Sequence, residues 1–194
     1  VRPGSDPAFA LGLANVIMSE KLYDDAFVRG HTDLPLLVRM DTLKHLKPEE
    51  VIAGYKPAEL KNTQLLKDGE KPVSAAQQDR QIVSEKLRNE WSDFMVWNEA
   101  TGRAEALTRD DAGRSGRFAL EGVFEVKLVN GASVKIRPTF DLIKEHASHF
   151  TPEAVSDLCH VDKDAVLWLA REIAKNPEKT LITVGMGPNH FFNN

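Results

Sequence analysis

Cysteine is all but missing from this chain. Cys159 stands alone, which excludes an internal disulfide. One thiolate also cannot hold an iron–sulfur cluster or a cysteine-based zinc site from this segment by itself. Positive charge is scarce too: 25 lysines and arginines against 29 aspartates and glutamates leave a net charge of −4, and no basic stripe stands out. That argues against nucleic acid or an anionic membrane as the main partner. Long apolar runs are absent, and none approaches the roughly 18 to 20 residues of a membrane span, so no direct membrane insertion by this segment is expected. There is no internal repeat and no low-complexity tract. What remains is ordinary globular material, with 194 residues to build a sizeable core.

Asp6-Pro7 reads as a helix cap followed by proline at the first helical position. The helix runs from Ala8 to about Leu22 and is apolar almost all the way round, so burial between a sheet and other elements is expected. Tyr23–Phe27 restarts a short helical turn that ends near Gly30. Residues 40–137 change character and read as an inserted α+β subdomain, polar and rich in lysine and glutamate. Within it Ser74-Ala-Ala-Gln77 matches a capping box, and Ile82, Val83, Leu87 and Trp91 give a half-apolar helix after it. Phe94–Trp97 and Arg103–Leu107 pair as strands around Thr101-Gly102. Alternating apolar residues on either side of Asn130-Gly131 predict a β-hairpin near 124–137. Helices return over Phe140–His146, after a Thr151-Pro152 start, and after an Asp162 cap, the last one ending at Asn176-Pro177. A strand at Thr180–Val184 then feeds Gly185-Met-Gly187. The rhythm is that of a parallel α/β sheet, so 1–39 and 138–194 read as one α/β domain, Rossmann-like and incomplete. Both ends fall at turns of the kind that face a cofactor. The expectation is an internal stretch of a larger protein, poorly behaved when expressed alone.

Two turns carry the chemistry. Gly185 and Gly187 let the backbone approach a ligand closely, and an apolar strand feeding such a turn is how open α/β sheets present amides to a phosphate. A dinucleotide fingerprint wants a third glycine at position 190, which is His190, so the ordinary nicotinamide or flavin reading fails. The bland alternative is a plain strand-end turn. Asp6 follows Pro3, Gly4 and Ser5. A carboxylate there accepts two parallel hydrogen bonds, as guanine offers with its adjacent N–H donors, but it could equally just cap its helix. His146 and His149 read as a solvated helix face rather than a metal pair, and Cys159-His160 as packing rather than catalysis.

Taken together, Val1–Leu11 resembles the Pro-Gly-[Ser/Thr]-Asp segment of the molybdopterin oxidoreductases, the dimethyl sulfoxide reductase family. Glu20–Val28, His31-Thr32, Phe150–Glu153 and the terminal Gly-x-Gly-x-Asn-His also resemble that family's pattern. Thr32–Arg39, Asp41-Thr42, Phe94–Trp97 and Ala119–Gly122 resemble its respiratory branch of nitrate reductases, nitrite oxidoreductases, selenate and perchlorate reductases and ethylbenzene dehydrogenase. The resemblance implies bis-molybdopterin guanine dinucleotide with molybdenum as cofactor, with Asp6 meeting guanine on a turn shaped by Pro3, Gly4 and Ser5. It places Gly185, Gly187, Asn189 and His190 near the pterin. The molybdenum ligand and the iron–sulfur cluster are implied to lie elsewhere in the full protein, so no catalytic or metal-ligating residue is assigned here. The implied reaction is oxygen-atom transfer on a small anion such as nitrite or nitrate, with electrons leaving through iron–sulfur clusters. The implied partners are the rest of the alpha subunit, an iron–sulfur beta subunit and a haem gamma subunit, in a bacterial periplasm or equivalent compartment. A hydrocarbon hydroxylase or a selenate or perchlorate reductase of the same branch is the near alternative. A non-catalytic α/β binding or scaffold domain is the distant one.

Overall fold

The computed structural model describes residues 1–61, 63–70, 81–111 and 117–183. Its helices are α1 (Asp6–Ser19), α2 (Asp25–His31), α3 (Pro48–Val51), α4 (Glu85–Trp91), α5 (Thr139–Ala147), α6 (Pro152–Cys159) and α7 (Lys163–Lys175). Its strands are β1 (Leu37–Arg39), β2 (Thr63–Leu66), β3 (Gln81–Ser84), β4 (Phe94–Asn98), β5 (Arg103–Leu107), β6 (Phe124–Lys127) and β7 (Ser133–Pro138). The mixed α/β chain divides into two units, Val1–Asp25 with Leu142–Asn194, and Ala26–Asp141.

In the first unit α1, α6 and α7 pack on one another. Two of these helices start as their sequences dictate. Thr151 Oγ1 accepts from the Ala154 amide at 3.2 Å ahead of Pro152, and Asp162 Oδ1 accepts from Asp164 N at 2.8 Å. The core is Val155, Cys159 and Val166, joined by Ala8, Phe9, Leu13, Phe150 and Val161. At the opposite edge Arg171 grips Glu20 with two hydrogen bonds of 3.0 and 2.8 Å, which hold the Glu20 carboxyl below its usual range. The expectation that α1 lies against a sheet is not met: among the described residues of this unit there is no strand, and helices cover α1. Thr180–Thr183, expected as strand, forms no ladder, because no partner strand stands beside it among the described residues; Leu181 and Ile182 are exposed.

Gly12 explains how closely α1 approaches α6. A Cβ built there would fall 2.5 Å from Val155 Cγ2, inside any real contact. Val155 is fully buried and cannot swing away. Gly12→Ala gains about 1 kcal/mol of helix propensity but overpacks the contact by about 1–3 kcal/mol. We expect a net loss of stability, read as a lower denaturation midpoint. An unchanged or raised midpoint would mean that the helices can separate at little cost.

The second unit is built on the antiparallel sheet β1-β7-β6, with β4 and β5 as an antiparallel pair. The hairpin at Asn130-Gly131 forms as its sequence requires: Ala132 N donates to Asn130 Oδ1 at 3.0 Å, and Val126 faces Val134 across the ladder. Leu37, Leu46, Met95, Val126, Leu128, Val134 and Ile136 fill the core, and Trp97 stacks on Phe124 at 4.2 Å. One expectation is corrected. Ile82 and Val83 are in strand β3, paired parallel with β2, and the helix starts only at Glu85, where Ser84 Oγ accepts from Leu87 N at 3.1 Å. The adjacent β-branched pair favours extended backbone, and the serine then caps α4. The capping box at 74–77 lies outside the described residues.

A buried polar knot lies beneath this unit's surface. Arg88 Nη2 donates to Asp93 Oδ1 at 2.5 Å, with the two side chains 4% and 2% exposed. Asp93 Oδ2 accepts from Tyr55 Oη at 2.6 Å and from Ala58 N at 2.8 Å, and Arg88 Nη2 also donates to Ala58 O at 2.9 Å. Ser92 sits between them at φ +56 and ψ −155, a region that side chains rarely enter, with its Oγ donating to Glu49 at 2.7 Å. Burial, and then the bond to Asp93, push the Tyr55 phenol far above its usual value. The folded state therefore holds this proton more tightly than the unfolded chain does. Its contribution is complete below about pH 10 and fades as the pH rises further. In an alkaline absorbance titration we expect a lagging phenolate signal that vanishes in Tyr55→Phe. Ordinary ionisation of both tyrosines would contradict the buried knot.

Candidate functional site

The segment Arg2-Pro3-Gly4-Ser5 closes a β-turn. Proline at the second position presets φ, and Gly4 takes φ +81, the value a type II turn demands at its third position. Ser5 N donates to Arg2 O at 3.2 Å, and Ser5 Oγ donates to the same carbonyl at 2.6 Å. The hydroxyl proton is thus used on the turn, and Ser5 makes no side-chain cap at the start of α1.

Asp6 is therefore not the cap that its place before Pro7 suggested. Ser5 occupies the capping position and Asp6 is the first helical residue. Asp6 is exposed, and among the described residues no partner holds its carboxylate. Asp162 makes the contrast, because its carboxylate is used on its own helix. A free acceptor pair at a helix N-terminus, held on a Pro-Gly turn, is available to a ligand with two adjacent donors. Pro3 is exposed and Gly4 and Ser5 are half-buried, so the turn is a rim rather than a hole.

Support for the turn comes from the end of α6. Arg2 N donates to Cys159 O at 2.8 Å, and Cys159 Sγ lies 3.4 Å from Ser5 O. Cys159 is fully buried, so the packing reading holds for it, whereas His160, left-handed at the end of α6, is exposed. What the sequence did not signal is that the packing reaches the Asp6 turn.

Gly185, Gly187, Asn189 and His190 lie outside the described residues. The unit has a cavity of about 640 Å³ lined by Ile17, Leu22, Tyr23, Ile173 and Ile182, at the far end of α1 from Asp6. Among the described residues no group of three histidine, cysteine, aspartate or glutamate side chains is placed to hold a metal, and His146 packs beside Phe150. No described helix is long and apolar enough to cross a membrane.

No family model matches the chain. Comparison with individual proteins nevertheless defines its class: the chain belongs with the alpha subunits of the molybdopterin oxidoreductases. It is similar to the perchlorate reductase subunit alpha of Dechloromonas aromatica, 31% identical over 202 residues that take in 98% of this chain and 20% of that one. The respiratory nitrate reductase subunit alpha of Haloferax mediterranei is 29% identical over 98% of this chain and 17% of its own length. A dopamine dehydroxylase of Eggerthella lenta is 28% identical over 81% of this chain and 20% of its own. The chain thus spans about a fifth of the length of the relatives it matches.

Proposed function

We propose that residues 1–39 and 138–194 form part of a Rossmann-like domain that binds one guanosine arm of bis-molybdopterin guanine dinucleotide, and that 40–137 is an insertion in it. The observation that carries this is the carboxylate of Asp6, exposed on a Pro-Gly turn and used by no described protein group. In this reading Asp6 accepts from guanine, Pro3, Gly4 and Ser5 shape the turn, and Gly185, Gly187, Asn189 and His190 approach the pterin. The donor chemistry fits: a carboxylate with no partner among the described residues has two acceptors for two N–H groups. When bound, the cofactor supplies the metal that exchanges an oxygen atom and two electrons; this stretch supplies binding and orientation.

The complete subunit would act on a small oxyanion and pass electrons through iron–sulfur clusters to a beta subunit and a haem gamma subunit. Support for the anion comes from the relatives named for perchlorate and nitrate, 31% and 29% identical to this chain. The test is Asp6→Ala in the full-length subunit, assayed for molybdenum and for GMP released by acid. Retention of both at the level of the unaltered protein would overturn the assignment.

A further inference from the structure

We propose that Cys159, at the end of α6, is a positioning residue for Asp6, holding the turn that presents its carboxylate; this rests on the reading of Asp6 as the guanosine contact. The turn is fastened to α6 at two places. Arg2 N takes the Cys159 carbonyl at 2.8 Å. That oxygen is free because the helix ends there and His160 turns left-handed, at φ +53. The thiol points back to Ser5 O at 3.4 Å, the same carbonyl that accepts Phe9 N at 3.1 Å and so begins α1. Arg2 and Ser5, the two ends of the turn, are thus tied to one residue.

The anchor itself lies in the packed core of its unit. Cys159 is fully buried with Val155 and Val166, and Gly12 brings α1 against Val155 with no space to slide. Asp6 itself is held by nothing described beyond its own backbone, so its direction is set by where the turn is fixed. Recognition by two parallel hydrogen bonds tolerates little displacement, and a small shift of the turn costs both bonds together.

The experiment uses the full-length, cofactor-loaded subunit. It follows molybdenum and GMP retained over time after transfer to cofactor-free buffer. Cys159→Ala is expected to speed the loss roughly twofold to tenfold, the worth of one hydrogen bond, and Cys159→Ser, which keeps a donor, to restore retention. Arg2→Pro removes the other tie at an exposed position outside the core and is expected to act likewise, whereas Arg2→Ala, which keeps the amide, is not. This second pair stands if the cysteine variants fail to fold. In an Asp6→Ala background neither Cys159→Ala nor Arg2→Pro should speed the loss further. Additive effects in that background would show a merely structural role and overturn the inference. So would unaltered retention in Cys159→Ala and Arg2→Pro while Asp6→Ala loses cofactor. Unaltered retention in Asp6→Ala itself would overturn the underlying assignment of Asp6, a different result from the other two.

Discussion

Asp93→Ala should destabilise the second unit by about 3–5 kcal/mol, because it leaves a buried guanidinium without its counter-charge. The loss is threefold. Arg88, 3% exposed, keeps its charge and cannot reach water, while Tyr55 Oη and Ala58 N both lose their acceptor. Arg88 has no reserve to draw on, since its Nε is already buried without a partner among the described residues. A cost of that size is a large part of the roughly 5–15 kcal/mol that holds an ordinary domain together. Tyr55→Phe removes one bond and leaves the ion pair intact, so about 1 kcal/mol is expected. Replacing Arg88 and Asp93 together by apolar residues of similar volume removes the unpaired charge and should cost less than Asp93→Ala, with Tyr55 Oη and Ala58 N still losing their acceptor. Denaturant unfolding of the three variants decides the matter. A double variant as unstable as Asp93→Ala would contradict the account.

Asp6→Ala is expected to have the opposite profile, with a large effect on binding and little on the fold. Two charge-assisted hydrogen bonds to one base are worth about 1.5–3 kcal/mol beyond solvation, which is roughly tenfold to a hundredfold in affinity. The fold has little to lose, because the carboxylate has no described protein partner and the turn is closed by Ser5 and Arg2. Only the favourable placement of an anion at the helix start is removed, about 0.3–1 kcal/mol. Asp6→Asn keeps one acceptor but offers an amide donor to the second guanine N–H, so it should also weaken binding. Equal loss of stability and of cofactor in Asp6→Ala would point to a structural role.

Elements whose signal is local were legible in the sequence. Asn130-Gly131 fixes its hairpin, Thr151 and Asp162 cap their helices, and Phe94–Trp97 pairs with Arg103–Leu107 around Thr101-Gly102. The buried knot was not legible. Arg88 and Asp93 sit in a polar stretch where every charge looks solvated, and only the fold brings Tyr55 and Ala58 to them. At the candidate site the Pro-Gly turn and the helix were readable. The one-residue shift that frees Asp6 was not, because it depends on where the turn places Ser5, whose hydroxyl donates to Arg2 O and accepts from no helix amide. The role of Cys159 was invisible for the same reason, since 154 residues separate it from Ser5 in the chain.

The central claim is that Asp6 holds a guanosine arm. It is tested most directly by molybdenum and acid-released GMP in purified full-length Asp6→Ala, beside the unaltered protein and with unfolding followed in parallel. The account predicts a lowered content of both in a protein that still folds. Full content of both in the folded variant would contradict it.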